Sequence, residues 1–409
     1  MAQIQAGDTA FILIAAALVL LMTPGLALFY GGMVRSKNVL GTIMQSFIMI
    51  SVVSLEWVYL GYSMSFGPDV GGLIGNLSWF GLKGVGAAPN PDYAPTIPQV
   101  VFMIYQCMFA VLTPALITGA FAERVRFGPF LVFSVLWAII VYNPVCHWIW
   151  GVGGWLKVKG VLDFAGGLVV HLTSGAGALA AALVLGPRRG YGRENFLPHS
   201  LPLTLLGAGL LWFGWFGFNG GSALAADAIA GTAFVSTHLA GMSGMAMWLL
   251  VEWLHRGKPT TLGAASGAIA GLATVTPAAG FVGPNFAVII GLLAGVCCYF
   301  AVVAKSKIGY DDSLDVVGIH GLGGIIGTLC LGIFSTKIVN PEGSDGLLAG
   351  NPGFLGIQAF GVFVVGVYAF SASWVLLKVL TALTGMRVSE EEEVGGLDLN
   401  QHSETAYNT

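Results

Sequence analysis

Two stretches decide the fold: DFAGGLVVHLTSGAGALAA, Asp163 to Ala181, and DVVGIHGLGGIIGTLC, Asp315 to Cys330. Each sets a histidine, His171 or His320, into an apolar, glycine-rich segment a few residues after an aspartate. Runs of this kind are long enough to cross a bilayer as helices. An ionisable group inside a span is costly and usually faces a cavity or a partner, so a matched pair points to a polar pathway through an oily protein.

The rest of the chain agrees. Of its 409 residues 56% are hydrophobic and 9% charged, with 60 glycines, whereas a soluble domain carries about 25% charged residues. This is the composition of an all-α, polytopic membrane protein. The net charge of -3 is spread over loops and an acidic run, Glu390 to Glu393, so no basic patch suggests nucleic acid. MAQIQAGDTA has no positive charge ahead of the first apolar run, unlike a cleavable signal, and Met1 reads as the mature start. Cys107, Cys146, Cys297, Cys298 and Cys330 lack metal-type spacing and read as packing thiols. No cofactor is expected.

Eleven membrane spans are expected, near 9–32, 40–66, 99–121, 128–148, 163–186, 201–220, 227–254, 262–280, 284–304, 316–335 and 356–385. An odd count puts the termini on opposite sides. Thirteen of the 17 Lys and Arg residues fall on the side of the C-terminus, which makes that side cytoplasmic and the N-terminus external. FYGG at Phe29 to Gly32 parallels FNGG at Phe218 to Gly221, and each histidine falls in the fifth span of its half. The expected layout is a transporter domain over 1–385, with inverted repeats over 9–186 and 201–335 and a final helix over 356–385. Residues 386–409 then form a cytoplasmic regulatory tail. Inverted repeats place a transport site between them near the bilayer midplane.

At the outer ends of spans 4 and 6 run HWIWGVGGW, His147 to Trp155, and WFGFNGGSALAAD, Trp215 to Asp227. An aromatic belt at headgroup level accounts for the tryptophans by composition alone. The sharper reading is a cation site, where an indole face and a serine hydroxyl replace water; a desolvated cation on Trp gains about 2 kcal/mol. Tyr105 and Phe109 in span 3 and Phe218 in span 6 lie just below, either as core or as a gate that excludes water. His171 and His320 could be satisfied core residues. In lipid, the glycines and serine beside them (Gly166, Gly167, Ser174, Gly175, Gly318, Gly321, Gly323, Gly324) let the two backbones approach, and two neutral imidazoles can then share one hydrogen bond and pass a proton. A metal would need a third and fourth ligand, which the sequence does not offer at that depth. Asp163 and Asp315 read as helix N-caps. Glu56 and His238 lie within spans with no evident partner.

These motifs, with FAERVRF at 121–127 and GAIAGLATVTPAAGFVG at 267–283, resemble the ammonium transporter family, the Amt branch of Amt/Mep/Rh. The likeness runs from TPGLALFYGGMVRSKN at 23–38 to GMRVSEEEEVGGLDLNQHSETAY at 385–407. It implies a homotrimer in the cell membrane with one pore per protomer, electrogenic uptake of ammonium and often methylammonium, and control by a cytoplasmic PII signal-transduction protein. It also implies that Trp150 and Ser222, flanked by Tyr105 and Phe109, recruit the cation, and that Phe109 and Phe218 form the gate. Trp215 would line the pore, His171 and His320 would be its twin histidines and Asp163 the supporting acid. Tyr105 departs from the phenylalanine expected there. An ammonium sensor and an intramembrane hydrolase are the rival readings; the first lacks an output domain in this sequence and the second a nucleophile motif.

Overall fold

The computed structural model describes residues 3–407. Among them the chain is helical apart from a short antiparallel hairpin, β1 Asp69–Val70 with β2 Ile74–Gly75, and two isolated bridges. Ten helices are long and apolar enough to cross a membrane: span 1 Ala6–Met33, span 2 Ser36–Phe66, span 3 Gln99–Phe121, span 4 Phe127–Val158, span 5 Gly167–Leu185, span 6 Leu201–Ala223, span 7 Ala228–Arg256, span 9 Pro284–Ile308, span 10 Val317–Phe334 and span 11 Pro352–Thr384. The expected eighth span, 262–280, is a 15-residue helix, Thr261–Val275. At 1.5 Å per residue it reaches about 23 Å, short of the hydrocarbon thickness, and the chain then turns through Thr276 to Phe281.

Lipid tails give little hydrophobic drive for helices to meet, so close backbone approach decides which spans pair. Spans 5 and 10 cross where a Cβ on Gly175 would stand 2.2 Å from the Gly321 Cα. A second contact sets Gly324 against the Gly167 carbonyl, where a Cβ would lie at 2.4 Å. Span 3 is buried along nearly its whole length. Spans 7, 9 and 11 turn side chains such as Leu254, Phe300, Phe363 and Leu383 outward.

Five spans carry a π-helical turn: Trp57–Gly61, Ala138–Tyr142, Gly167–Leu172, Phe216–Gly220 and Val317–Gly321. One extra residue per turn re-aims the side chains that follow, and such turns gather at functional sites. Span 5 starts at Gly167 rather than at Asp163, whose carboxylate accepts the N–H groups of Gly166, Gly167, Leu168 and Val169 at 2.7 to 3.1 Å. The capping expectation fails for Asp315. Span 10 is capped by Asp312, which accepts the Val317 N–H at 2.7 Å, while Asp315 takes a left-handed φ of 66° and pairs with Lys305 at 2.5 Å.

The loops on the face bearing most basic residues are locked by buried charge. Arg188 pairs with Asp311 at 2.9 Å and Glu123 at 3.0 Å, and Glu123 also takes Arg35 at 3.0 Å. Burial alone would raise both carboxyls, but hydrogen bonds and charge from Arg188, joined by Arg124 at Asp311 and by Arg35 at Glu123, hold them below the usual carboxylate range. Burial lowers Arg124 to about 10. On this face the tail forms two short helices, Glu390–Gly395 and Leu397–His402.

Candidate functional site

The π-helical turns of spans 5 and 10 bring the two histidines together. Nδ1 of His171 lies 3.2 Å from Nδ1 of His320, with ring centroids 5.2 Å apart and planes 20° from parallel. Two neutral rings fill that contact with one shared hydrogen; two imidazoliums would oppose N–H to N–H. Nε2 of His171 is buried without a partner. It is a free donor or acceptor, depending on which ring gives the hydrogen.

Trp215 stacks on His171 at 5.6 Å and donates its Nε1–H to Thr276 Oγ1 at 3.0 Å. Thr276 sits in the turn after the short eighth helix, where no periodicity marks it in sequence. The histidines and Trp215 line a cavity of about 10 Å³ with Met22, Leu26, Leu112 and Leu211, close to the least space one water-sized molecule needs. Its remaining walls are apolar too, so the histidines and the indole supply its polar groups.

Phe218 lies 6.1 Å from His171, and Phe109 lies 4.3 Å from Phe218. These two rings stand between the histidines and Trp150. Trp150 meets Phe109 edge-on at 6.0 Å, and Tyr105 meets it at 5.0 Å. The Trp150 indole is fixed by donating Nε1–H to the Asp163 carbonyl at 2.8 Å.

The Tyr105 and Ser222 hydroxyls each lie 2.8 Å from the Phe218 carbonyl oxygen, and their own oxygens are 3.2 Å apart, so each hydroxyl has one hydrogen to give, to a carbonyl or to the other hydroxyl. Their lone pairs therefore remain to accept N–H donors. The phenol at position 105 thus adds an acceptor that phenylalanine would lack. Trp150, Ser222, Tyr105, Phe109, Phe218, Trp215, His171 and His320 form one continuous column.

Asp163 stands beside the column rather than in it. Its carboxylate is spent on four backbone N–H groups, so it orients the turn that carries His171. His147 lies off the column, with Nε2 2.9 Å from Asp69 in the hairpin. Glu56 has a partner that sequence did not reveal, the Asn143 side chain, whose Nδ2–H donates to Oε1 at 2.8 Å. His238 is exposed on the outside of span 7 beside Trp212.

A sequence model described as Ammonium Transporter Family matches residues 10–407. An ammonium transporter of Bacillus subtilis (strain 168) is 53% identical over 404 residues, covering 98% of this chain and 99% of its own. The crystal structure of Saccharomyces cerevisiae Mep2 superposes with a TM-score of 0.90 at 38% identity, over 95% of this chain and 89% of that one. A structure named Sensor Amt Protein superposes with a TM-score of 0.89 at 32% identity, over 97% of this chain and 98% of its own.

Proposed function

This chain belongs to the ammonium transporter family, and from that premise we propose that it moves ammonium across the cell membrane by recruiting the cation, deprotonating it, and passing ammonia and proton separately. Its relatives are transporters, not enzymes. The observation that carries the mechanism is the pair of buried histidines with Nδ1 atoms 3.2 Å apart at the wall of a narrow apolar cavity.

A cation arriving at the outer face meets the Trp150 indole and the lone pairs of Ser222 and Tyr105. Going further as a bare ion costs several kcal/mol in desolvation. Losing the proton at pH 7, for an amine of pKa about 9 to 10, costs roughly 3 to 4 kcal/mol. Deprotonation is the lower barrier. Ammonia then passes Phe109 and Phe218 and moves along the apolar cavity. The proton crosses the histidine pair, entering on one ring as the shared hydrogen shifts and leaving from the other. Asp163 supports this by holding the turn that leads into His171. Potassium has no proton to lose and is rejected.

The basic face is then cytoplasmic, the N-terminus external, and the FYGG and FNGG halves inverted repeats. The protein assembles as a homotrimer with one pore per protomer, takes methylammonium as well, and meets a PII protein on the cytoplasmic face, where residues 386–409 serve as the regulatory tail. A sensor reading is favoured by the likeness to a sensor Amt structure.

Current recorded from proteoliposomes given an ammonium pulse separates the two readings. The expected result is a sustained ammonium current that potassium does not evoke, abolished by His171→Ala with His320→Ala in protein that still folds. A brief binding transient alone would favour the sensor. Full, potassium-blind current in the double variant would overturn the relay.

A further inference from the structure

Glu56 is the buried acid that this pore mechanism does not use. It ends the helical run before the π-helical turn Trp57–Gly61 of span 2 and faces Asn143, the first residue after the π-helical turn Ala138–Tyr142 of span 4. Asn143 donates to Oε1. Oε2 is buried without a hydrogen-bond partner, and Gly61 makes room for it, since a Cβ there would stand 2.7 Å away. Among the described residues, no ion pair includes Glu56.

The titratable groups that face it are neutral in kind. Span 4 contributes Tyr142, whose buried hydroxyl also lacks a partner and lies within electrostatic reach of both Glu56 and Asp163. Span 3 contributes Cys107, which donates to Ser54 at 3.6 Å. An ionised carboxylate in this setting would have one amide donor on one oxygen and nothing on the other, a cost of several kcal/mol. The neutral acid fits better: its carbonyl oxygen accepts from Asn143 and its hydroxyl is free to donate.

We propose that Glu56 is a second proton-binding site, held as the neutral carboxylic acid in the wall between spans 2, 3 and 4 and separate from the histidine pair. Two π-helical turns, in spans 2 and 4, border this acid and its Asn143 partner, and such turns gather at functional sites. The bound proton has a role in the outer site as well. Asn143 lies seven residues before Trp150, two turns along the same face of span 4, so the protonated acid holds the helix segment that presents the indole.

The test is infrared spectroscopy and carbodiimide labelling of the full-length protein in lipid. At neutral pH the wild type should show a carboxylic-acid carbonyl band that is missing from Glu56→Gln. A lipophilic carbodiimide, which adds to protonated carboxyls in apolar surroundings, should form an adduct mapped by mass spectrometry to the Glu56 peptide. Its rate should fall about tenfold per pH unit once the carboxyl ionises. Glu56→Gln reproduces the neutral acid's contacts and should keep the wild-type half-saturation for ammonium. If the variant loses carboxylate bands instead, the site is ionised and the proposal is wrong. Should the variant fail to fold, labelling of the wild type decides alone, and an unmodified Glu56 at neutral pH overturns the assignment. Both readouts report on the proton directly and stand whatever the pore conducts.

Discussion

Trp150 is held at the mouth of the column by one hydrogen bond to the Asp163 carbonyl and an edge contact with Phe109. Its ring face is what a cation would meet. Trp150→Leu keeps an apolar side chain but removes that face, so apparent affinity for ammonium should weaken by about 1 to 2 kcal/mol, roughly tenfold, with potassium still excluded. An unchanged half-saturation concentration would return Trp150 to the role of membrane-interface anchor. Asp312 offers a second test at this scale. It is fully buried with Oδ1 unpartnered, and burial raises its carboxyl to about 6 despite Lys305 nearby. A carboxyl raised on folding stabilises fully below the unfolded value of 3.8, and that contribution is lost as pH rises through about 6. The swing is about 3 kcal/mol at most. Asp312→Asn keeps an acceptor for Val317, so its melting temperature should gain on the wild type between pH 4 and 6 and hold that gain above. A difference that does not vary with pH would show that the carboxyl never titrates in this window. Asp311 and Glu123, held low by their arginines, act oppositely, losing stability as pH falls. The pairing of His171 with His320 could be read from two polar residues at matched depth among glycines. That Asp312 rather than Asp315 caps span 10 could not, because three aspartates lie within five positions and backbone conformation alone separates them.

The π-helical turns are the elements on which the column depends. Those of spans 5 and 10 carry the histidines, and that of span 6 carries Phe218. No period in the sequence marks such a turn, since one inserted residue leaves an apolar span apolar. This is why spans were legible and side-chain directions were not. Gly175 and Gly321 were legible as small residues, and their contact sets how near the two turns can come. Gly175→Ala would drive a methyl into the backbone of span 10, at a cost of about 1 to 3 kcal/mol for overpacking. Spans 5 and 10 must then separate, and a contact of 3.2 Å between ring nitrogens is lost before the fold is. Ammonium current should therefore fall sharply in protein that still purifies intact. Gly209→Ala on span 6, where a Cβ meets nothing within 4 Å, is the control and should retain full current. Equal currents in both variants would mean that the helix crossing is not what aligns the histidines.

Across the whole molecule the tail ties together elements that are distant in sequence. Arg387 donates to the carbonyls of Leu185 and Pro187, at and just past the end of span 5, both at 2.8 Å. Asp398 accepts the N–H groups of Leu40 and Gly41 at 3.0 and 2.8 Å, which caps the first turns of span 2. Val388 and Arg126 exchange backbone bonds with Arg124 and Met386. Of the tail's acidic residues, Glu390 pairs with Arg189 in the loop after span 5, whereas Glu393 pairs with Arg387 inside the tail itself. Arg188, however, is occupied by Asp311 and Glu123, and no ion pair among the described residues includes Lys258. Most of the docking is therefore hydrogen bonding to backbone, which salt screens less than exposed ion pairs. Span 5 carries His171, so under the proposed mechanism a partner that pulls on the tail would act on the helix that positions this histidine, whereas Trp150 and Ser222 lie at the opposite ends of their spans. Deleting residues 387–409 should change the transport rate, or the response to PII, by severalfold while leaving discrimination between ammonium and potassium intact. The same truncation should remain insensitive to added salt where the wild type is only weakly sensitive. A truncated protein that transports and binds PII as the full chain does would reduce the tail to a passive extension.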